Sequence, residues 1–339
     1  MSIKVETESK YYCIEPEKLI ARCETLGLKR IKTTVEEDEY FTDLNSMFIK
    51  NRTCLRIRKN NNNKMEITFK GKSLKLLGLY SKIENNIKAD IEQYENYVAL
   101  FSSLGFYSYV KVEKERLVYN YNHEKYECNI MIDKLSSIGC FVEFEIIAAE
   151  NDYDKKSITS ELNKFVKMFD SVELSEATEP YRDIVASHIF KTKVKSKEKK
   201  IYLNIDSIAV DLEKDFYKKH NSDLKKQIDS KIKWGSYRKN ESKELEAIIT
   251  DYFANKMFDT TELLALFKLL KEIDYPIFYI TKANKVFFKG LLNRIGLKTT
   301  TNIYEQQEIR KDELKNSIVL DSSLKNSIQI VLIMINMEV

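Results

Sequence analysis

The chain has 339 residues, of which 43% are hydrophobic and 32% are charged, with 56 Lys and Arg against 52 Asp and Glu. This length predicts two domains, and a net charge of only +4 argues against a dedicated nucleic-acid-binding protein. We expect no signal peptide, and the longest apolar run, residues 328–336, is too short to span a bilayer. We interpret that run as a buried terminal strand and expect no membrane partner.

The few cysteines, histidines and glycines exclude several kinds of site. The five cysteines are odd in number and have no CxxC spacing, which is typical of reduced thiols, so we expect a cytoplasmic protein. The three histidines are isolated, which argues against a histidine-based metal centre. The chain has neither GxGxxG nor GxxxxGK[ST], so it does not bind phosphate through a glycine-rich loop.

The first half repeats a pattern of strand, helix and further strands. Residues 16–28 predict a helix that starts at Pro16 and stops at Gly27, and residues 96–106 predict a second that stops at Gly105. An alternating charged strand precedes each helix, at residues 5–10 and 87–93. Two such units predict a pseudo-symmetric β structure with helices outside.

One face of these strands is almost wholly charged, and the other is apolar or small. The acids are Glu6, Glu8, Glu66, Asp90, Glu92, Asp133, Glu143 and Glu145, and the bases are Lys10, Arg56, Arg58, Lys70, Lys88, Lys114 and Arg116. For any single strand, a solvated charged face is the simpler interpretation. If the sheet closes with these faces inward, the bases would bind a polyanion and the carboxylates would hold hard divalent cations.

Seven segments, in order, resemble motifs of the CYTH superfamily of triphosphate tunnel metalloenzymes. They are ETESK (6–10), LRIRK (55–59), EITFKGK (66–72), KADIE (88–92), VEKERLVY (112–119), IDKLSSIGCFVEFE (132–145) and EPYRDIVA (179–186). Their order looks most like the class IV adenylate cyclase branch. Related branches hydrolyse inorganic tripolyphosphate, thiamine triphosphate or RNA 5′-triphosphate.

The resemblance implies an α+β domain over residues 1–190, built on an antiparallel eight-stranded β-tunnel that holds the triphosphate of its substrate. The metal ligands for Mg²⁺ or Mn²⁺ would be Glu6, Glu8, Asp133, Glu143 and Glu145. The phosphates would be bound by Lys10, Arg56, Arg58, Lys70, Lys114 and Arg116. The catalytic group would be Glu6, Glu8, Lys10, Lys88, Asp90 and Glu92. Lys88 and Asp90 replace the Arg and Glu of the family pattern, which alters the geometry of the site.

The resemblance thus implies an enzyme that converts ATP to cyclic AMP and pyrophosphate. The alternatives are a triphosphatase that releases orthophosphate from tripolyphosphate, thiamine triphosphate or a nucleoside triphosphate, and a non-catalytic nucleotide or polyphosphate sensor. Cyclase and hydrolase would use nearly the same tunnel residues. The outcome depends on which end of the triphosphate lies at the metal and on whether a base pocket exists. RNA binding through a basic linker is a further alternative, with a steep salt dependence.

The second half follows a basic linker at residues 191–200 and predicts a smaller α/β, Rossmann-like domain over residues 201–339. It resembles the haloacid-dehalogenase-like (HAD-like) phosphatases. The matching positions are Asn204, Asp206, Ile208, Thr281 and Asp321, with Lys311 or Lys315 as weak matches for the motif lysine. Asn204 stands where the nucleophilic Asp belongs and cannot form an aspartyl-phosphate. We therefore expect a degenerate domain with a role in regulation, ligand sensing or formation of a homodimer; a plain α/β domain without this ancestry is the alternative.

Overall fold

A computed structural model of the chain describes residues 4–60, 64–71, 74–76, 79–81, 84–136, 138–149, 154–195, 197–204, 261–281, 302–305, 308–320 and 323–337. The chain divides into two compact units, Met1–His188 and Ile189–Val339. None of the helices formed by the described residues combines the length and the hydrophobicity that a membrane crossing requires.

The first unit contains eleven described strands. They are β1 Lys4–Cys13, β2 Lys29–Asp43, β3 Cys54–Asn60, β4 Lys64–Lys70, β5 Leu74–Leu76, β6 Leu79–Ser81, β7 Glu84–Asp90, β8 Phe106–Asn122, β9 Glu127–Leu135, β10 Gly139–Ala149 and β11 Leu174–Glu176. Nine of them form one sheet in the order β11-β1-β10-β9-β8-β2-β3-β4-β7, in which every pairing is antiparallel. The predicted antiparallel sheet is confirmed, and the short strand β11 adds a ninth member. Among the described strands β11 and β7 are the edges, so closure of the tunnel stays a prediction.

The apolar face of this sheet packs under the helices of the unit. These helices are α1 Pro16–Thr25, α2 Met47–Lys50, α3 Tyr94–Ser103, α4 Lys155–Lys167 and the first part of α5 Tyr181–Lys193, which continues past the end of the unit at His188. One core joins Leu19 of α1 and Phe165 of α4 to Phe144 of β10. A second joins Phe101 of α3 to Ile57 of β3. Because each such side chain stabilises the fold by about 1.5–3 kcal/mol when it is buried, these contacts orient the opposite, charged face of the sheet inward.

The order of the eight long strands is symmetric about the β8–β2 pair. Exchanging β1, β2, β3 and β4 with β7, β8, β9 and β10 turns the order β1-β10-β9-β8-β2-β3-β4-β7 into its reverse. The exchange also pairs α1 with α3, each followed by a glycine with positive φ, Gly27 at 70° and Gly105 at 84°. Only glycine adopts this conformation without strain. The predicted duplication is therefore visible in the topology.

The strand predicted at residues 87–93 ends earlier than expected, at Asp90. Ile91–Gln93 form a 3-10 turn that leads into α3, and Glu92 lies exposed on this turn. The prediction was wrong here because alternation between polar and apolar residues does not show where a chain leaves the sheet to begin a helix.

The second unit contains a small parallel sheet. Its described elements are β12 Ile201–Asn204, α6 Thr261–Lys271, β13 Ile277–Thr281, β14 Ile303–Glu305, α7 Lys311–Asn316, β15 Ile318–Leu320 and α8 Leu324–Met337. The strand order is β14-β13-β12-β15, with parallel pairings. Asn204 and Thr281 end adjacent strands, and Lys311 and Lys315 lie in α7. Asp206, Ile208 and Asp321 lie outside the described residues, so the HAD-like ancestry stays a prediction.

The apolar run at residues 328–336 forms the last helix, α8, and not the strand that we predicted from the sequence. Ile328, Val331, Leu332 and Met334 are all buried in it. Residues 330–335 are all apolar, so they show no period and fit a buried strand and a buried helix equally well. The helix has 14 residues and begins before the run, at Leu324, whereas the run alone is no longer than a strand, so its length did not distinguish the two.

Candidate active site

The charged face of the antiparallel sheet, called the inner face below, is concave. Residues that are paired across antiparallel strands share a face, and the register sets Glu8 beside Glu145 and Arg58 beside Asp38. Arg58 and Glu145 line one cavity of about 350 Å³. Their strands are four positions apart in the sheet, which would separate them by about 19 Å if the sheet were flat. The sheet therefore curves strongly around its charged side chains.

Asp38 fixes two arginines near the centre of the inner face. Arg58 donates through Nε to Asp38 Oδ1 at 2.6 Å and through Nη2 to Oδ2 at 2.7 Å. Arg56 Nη1 lies 3.6 Å from Asp38 Oδ2. Burial by itself would raise the pKa of Asp38, but the hydrogen bonds and positive charge of Arg58 lower it to about 2. Asp38 is therefore ionised and orients both guanidinium groups.

Arg116 on β8 links this strand to β9 and β10 through Asp133 and Glu143. It donates to both carboxylate oxygens of Asp133, at 2.6 and 2.5 Å, and to Glu143 Oε2 at 2.6 Å. Asp133 is fully buried, with 0% of its surface exposed. Although burial would raise the pKa of Asp133, its hydrogen bond from Arg116 and the charge of Lys114 hold that pKa below its ordinary value. Both oxygens of Asp133 thus accept hydrogen bonds from Arg116, and its role as a metal ligand stays a prediction.

Glu36 and Lys114 connect these two clusters. Glu36 Oε2 lies 3.2 Å from Arg58 Nη1 and 3.3 Å from Lys114 Nζ, and Lys114 Nζ lies 3.7 Å from Asp133 Oδ2. Lys10 Nζ extends the network to Glu143 at 4.0 Å. The cations are Lys10, Arg56, Arg58, Lys114 and Arg116, and the carboxylates are Glu36, Asp38, Asp133 and Glu143. Counted over the described residues, the connected network thus has one more cation than carboxylate.

Tyr181, the first residue of α5, brings two lysines together. Its ring centroid lies 4.3 Å from Lys10 Nζ and 5.0 Å from Lys114 Nζ. The ring also packs edge-on against Phe141, with centroids 5.2 Å apart. Burial lowers the pKa of both lysines. A desolvated cation over an aromatic face is stabilised by about 2 kcal/mol, so Tyr181 compensates in part for bringing two positive charges close together.

Glu6, Glu8 and Glu145, called the carboxylate group below, lie toward one end of the inner face. Glu6 and Glu8 are exposed on β1, and Glu145 is half-buried on the neighbouring strand β10. Burial raises the pKa of Glu145, and the charges of Glu6 and Glu8 raise it further, while a hydrogen bond from Asn129 lowers it. Repelling carboxylates of this kind suit a divalent cation. Within the described parts of the chain, no three such side chains are close enough together to hold a metal ion by themselves.

The remaining predicted residues lie toward the β7 edge of the sheet. Glu66 is paired with Lys88 and Lys64 with Asp90, and Lys70 is paired with Cys54. The alternation in the sequence therefore predicted correctly that Glu66, Lys88 and Asp90 lie on the inner face. Lys88 and Asp90 are exposed there, and their catalytic role stays a prediction.

Sequence reasoning missed Glu36 and Asp38. Both lie in an unbroken acidic run, Glu36–Glu39, in which adjacent positions point to opposite faces and the alternation is hidden. Outside the inner face, Glu39 accepts a hydrogen bond from Tyr94 and lies 3.6 Å from Lys111 Nζ. One signal was present, since the paired Arg56 and Arg58 require acids on the neighbouring strand.

Comparison with known proteins gives three results. Residues 4–178 match the family model of the CYTH domain. Over 152 residues the chain is 30% identical to a Methanocaldococcus jannaschii protein named "Putative adenylate cyclase", covering 44% of this chain and 82% of that protein. Among solved structures, the PH1819 protein of Pyrococcus horikoshii superposes with a TM-score of 0.43 at 22% identity, over 54% of this chain and 99% of that one. A "putative adenylyl cyclase" from Hippeastrum, described as having a dominant triphosphatase activity, superposes with a TM-score of 0.42 at 15% identity, over 56% and 96%.

Proposed function

The chain belongs to the CYTH family, and from that premise we propose that residues 1–190 form a metal-dependent enzyme acting on the triphosphate of its substrate. The observation that carries the proposal is the convergence of the five network cations on one concave face, next to the carboxylate group. A buried ion-pair network is weak support for stability, because apolar residues of similar volume often stabilise a fold as well or better. Binding of a polyanionic ligand would account for these cations better than a contribution to stability does.

The arginines would bind phosphate oxygens in pairs, and the lysines would act as point charges. Asp38 and Asp133 keep Arg58 and Arg116 in place before the ligand arrives, so little reorganisation is needed when negative charge develops. The single cationic excess of the network is far below the charge of a triphosphate. A divalent cation held by the carboxylate group would offset the negative charge of those side chains and bring further positive charge next to the phosphates.

Glu6, Glu8 and Glu145 would hold Mg²⁺ or Mn²⁺, since hard cations prefer oxygen ligands and readily share them with a substrate phosphate. When bound, the ion would withdraw charge from the phosphate oxygens as the bond to the leaving group breaks. Lys10 and Lys114, drawn together by Tyr181, would neutralise charge on the phosphates farther from the carboxylate group.

The reaction we propose is the cyclisation of ATP. The 3′-hydroxyl oxygen attacks the α-phosphorus and gives up its proton to solvent, the bond to the bridging oxygen of the β-phosphate breaks, and pyrophosphate leaves. The name of the M. jannaschii relative supports this choice. Attack of water on the terminal phosphorus would instead give orthophosphate, and the same cations would stabilise it.

Product analysis tests the proposal. The full chain is incubated with ATP, tripolyphosphate or thiamine triphosphate, with Mg²⁺, Mn²⁺ or chelator, and the products are separated. Metal-dependent cyclic AMP and pyrophosphate would support the cyclase, and orthophosphate would select the triphosphatase. If every triphosphate were bound but none converted, the protein would be a sensor and the enzyme proposal would fail.

Two variants, each of which removes one exposed carboxylate, test whether turnover takes place on the inner face. Glu6 and Glu24 are both exposed, but only Glu6 lies in the carboxylate group. We expect Glu6→Gln to reduce turnover by about 10²-fold or more, the scale of losing one electrostatic contact to the transition state, and Glu24→Gln to have no effect. Equal rates in the two variants would remove Glu6 from the site.

For the second half we propose a catalytically inactive, HAD-like domain over residues 201–339, joined by the basic linker 191–200. Asn204 ends β12, at the carboxyl edge of a parallel sheet, which is where such sheets carry catalytic residues. An amide there cannot act as the carboxylate nucleophile. Restoring the acid by Asn204→Asp and assaying phosphatase activity tests this; activity already present in the natural chain would contradict it.

A further inference from the structure

The inner face changes its chemistry along two neighbouring strands. Going along β8, the inward residues are Arg116, then Val118, then Asn120. The residues paired with them on β9 are Asp133, Met131 and Asn129. Each step of two residues advances about 6.8 Å. A charged stretch is therefore followed by an apolar one, and then by a pair of amides about 14 Å from the arginine.

These residues border the cavity of about 350 Å³, in which Arg58 and Arg116 contribute the charged part, Val118 and Met131 an apolar part, and Asn120 and Asn129 the amides. An inorganic polyphosphate has no apolar surface to place against Val118 and Met131. A nucleoside has an apolar base face and a hydrogen-bonding edge, and this volume is in the range of small-molecule sites. Asparagine amides match the donor and acceptor pattern of an adenine edge.

Hydrogen bonds hold the two amides in place and connect them to the carboxylate group. Asn120 Nδ2 donates to Asn129 Oδ1 at 3.0 Å and to the carbonyl oxygen of Cys128 at 3.1 Å. Asn129 Nδ2 donates to Glu145 Oε2 at 3.2 Å. A polar group that is positioned in advance binds its ligand at a lower entropic cost. The amides and Glu145 therefore form one fixed assembly.

We infer that this cavity binds the nucleoside of a nucleoside triphosphate, with Asn120 and Asn129 at the edge of the base and Val118 and Met131 against its face. The inference rests on the proposed triphosphate function and specifies its substrate. Because Asn129 is bonded to Glu145, the nucleoside end of the substrate lies beside the carboxylate group. The phosphate nearest that group is then the α-phosphate, as attack by the 3′-hydroxyl requires.

This orientation also places the leaving group. Along β1, Lys10 follows Glu8, and it is paired with Glu143 where Glu8 is paired with Glu145. Lys114 lies one step beyond Arg116 on β8, on the side away from Asn120, and the centroid of the Tyr181 ring lies within 5.0 Å of both Lys114 and Lys10. The β- and γ-phosphates would extend toward them and depart together as pyrophosphate. Hydrolysis of the terminal phosphate would need the opposite orientation.

Binding measurements on the full chain test the inference without relying on turnover. The probes are an ATP analogue that lacks the 3′-hydroxyl, and so cannot cyclise, and inorganic tripolyphosphate. We expect Asn120→Ala to weaken binding of the analogue about tenfold, which corresponds to about 1.4 kcal/mol, and to leave tripolyphosphate binding within twofold. Asn96→Ala, at an exposed position on α3, is the control and should change neither.

Retained tripolyphosphate binding also shows that the variant is folded. If Asn120→Ala loses both ligands, the isosteric Val118→Thr provides the same comparison, since a hydroxyl against the base face should weaken only the nucleotide. Equal losses for both probes in Val118→Thr, or unchanged analogue binding in Asn120→Ala, would overturn the nucleoside site and leave the triphosphate function standing. If neither probe binds the natural chain, both proposals fail.

Discussion

Asp38 shows how single residues prepare the inner face for a ligand. Its carboxylate makes two short hydrogen bonds to Arg58 and lies near Arg56, and only 1% of its surface is exposed. A buried acid whose partner is removed, or a buried arginine left without its acid, is strongly destabilising. Residues of this kind link the stability of the fold to the geometry of the site.

Replacing Asp38 by the isosteric Asn tests this link. We expect Asp38→Asn to lower the free energy of unfolding by about 3 kcal/mol, because Arg58 loses its charged partner in a buried position. Urea denaturation measures the change. The control is Glu37→Gln, which removes a more exposed ion pair with Lys59 and should cost about 0.5 kcal/mol. Equal stability of the two variants would show that the Asp38 cluster does not stabilise the fold.

The lowered pKa of Asp38 also predicts a dependence on pH. The pKa is about 2 in the folded chain, against an ordinary value of 3.8. A group with a depressed folded pKa contributes stability above its ordinary pKa, and the contribution is lost as pH falls toward the folded value. The stability difference between the natural chain and Asp38→Asn should therefore be constant above about pH 5 and shrink below it. A difference that grew on acidification would contradict the assignment.

At the scale of strands and helices, the sequence predicts periodic features well and interrupted ones poorly. Alternation identified the inward residues of β1, β3 and β10, because one side of each strand packs against an apolar core. It failed for Glu36 and Asp38, which lie in an unbroken acidic run, and for the run at residues 328–336, in which residues 330–335 are all apolar and show no period. It placed Glu92 in a strand that had already ended. The alternation of a single strand does not predict contacts between side chains of different elements. The position of the Tyr181 ring beside Lys10 and Lys114 is an example.

The two glycines after α1 and α3 give a prediction at this scale. A Cβ at Gly27 or Gly105 would meet no atom within 4 Å, so the cost of adding one lies in the backbone alone. We expect Gly27→Ala and Gly105→Ala each to lower the free energy of unfolding by about 1 kcal/mol, because φ is positive at both. Gly27→Asn should lose less, since Asn tolerates this conformation better. Thermal unfolding measures all three, and an Ala variant as stable as the natural chain would contradict the cap geometry.

At the scale of the whole molecule, the pseudo-symmetric sheet contributes different chemistry from its two halves. In the β1–β4 half, β2 and β3 supply Glu36, Asp38, Arg56 and Arg58, and in the β7–β10 half, β8 and β9 supply Lys114, Arg116 and Asp133. β2 carries acids where its counterpart β8 carries bases, and β3 carries bases where its counterpart β9 carries an acid. The resulting ion pairs lie at the centre of the inner face. The carboxylate group and the amide-lined cavity lie together at one end of the inner face. The site is therefore asymmetric along the strands, although the strand order is symmetric. The second unit adds a small parallel sheet for which we propose no chemistry.

The most direct test of this account is the affinity of the full chain for ATP in the presence of Mg²⁺, measured by calorimetry in the natural chain and in Lys10→Ala. Lys10 can be removed without leaving Glu143 unpaired, because Arg116 also binds Glu143. We predict a dissociation constant about tenfold higher or more, since a hydrogen bond to a charged group contributes about 1.5–3 kcal/mol. Lys18→Ala, on the exposed surface of α1, should bind as the natural chain does. Unchanged affinity in Lys10→Ala, or an equal loss in Lys18→Ala, would contradict triphosphate binding on the inner face.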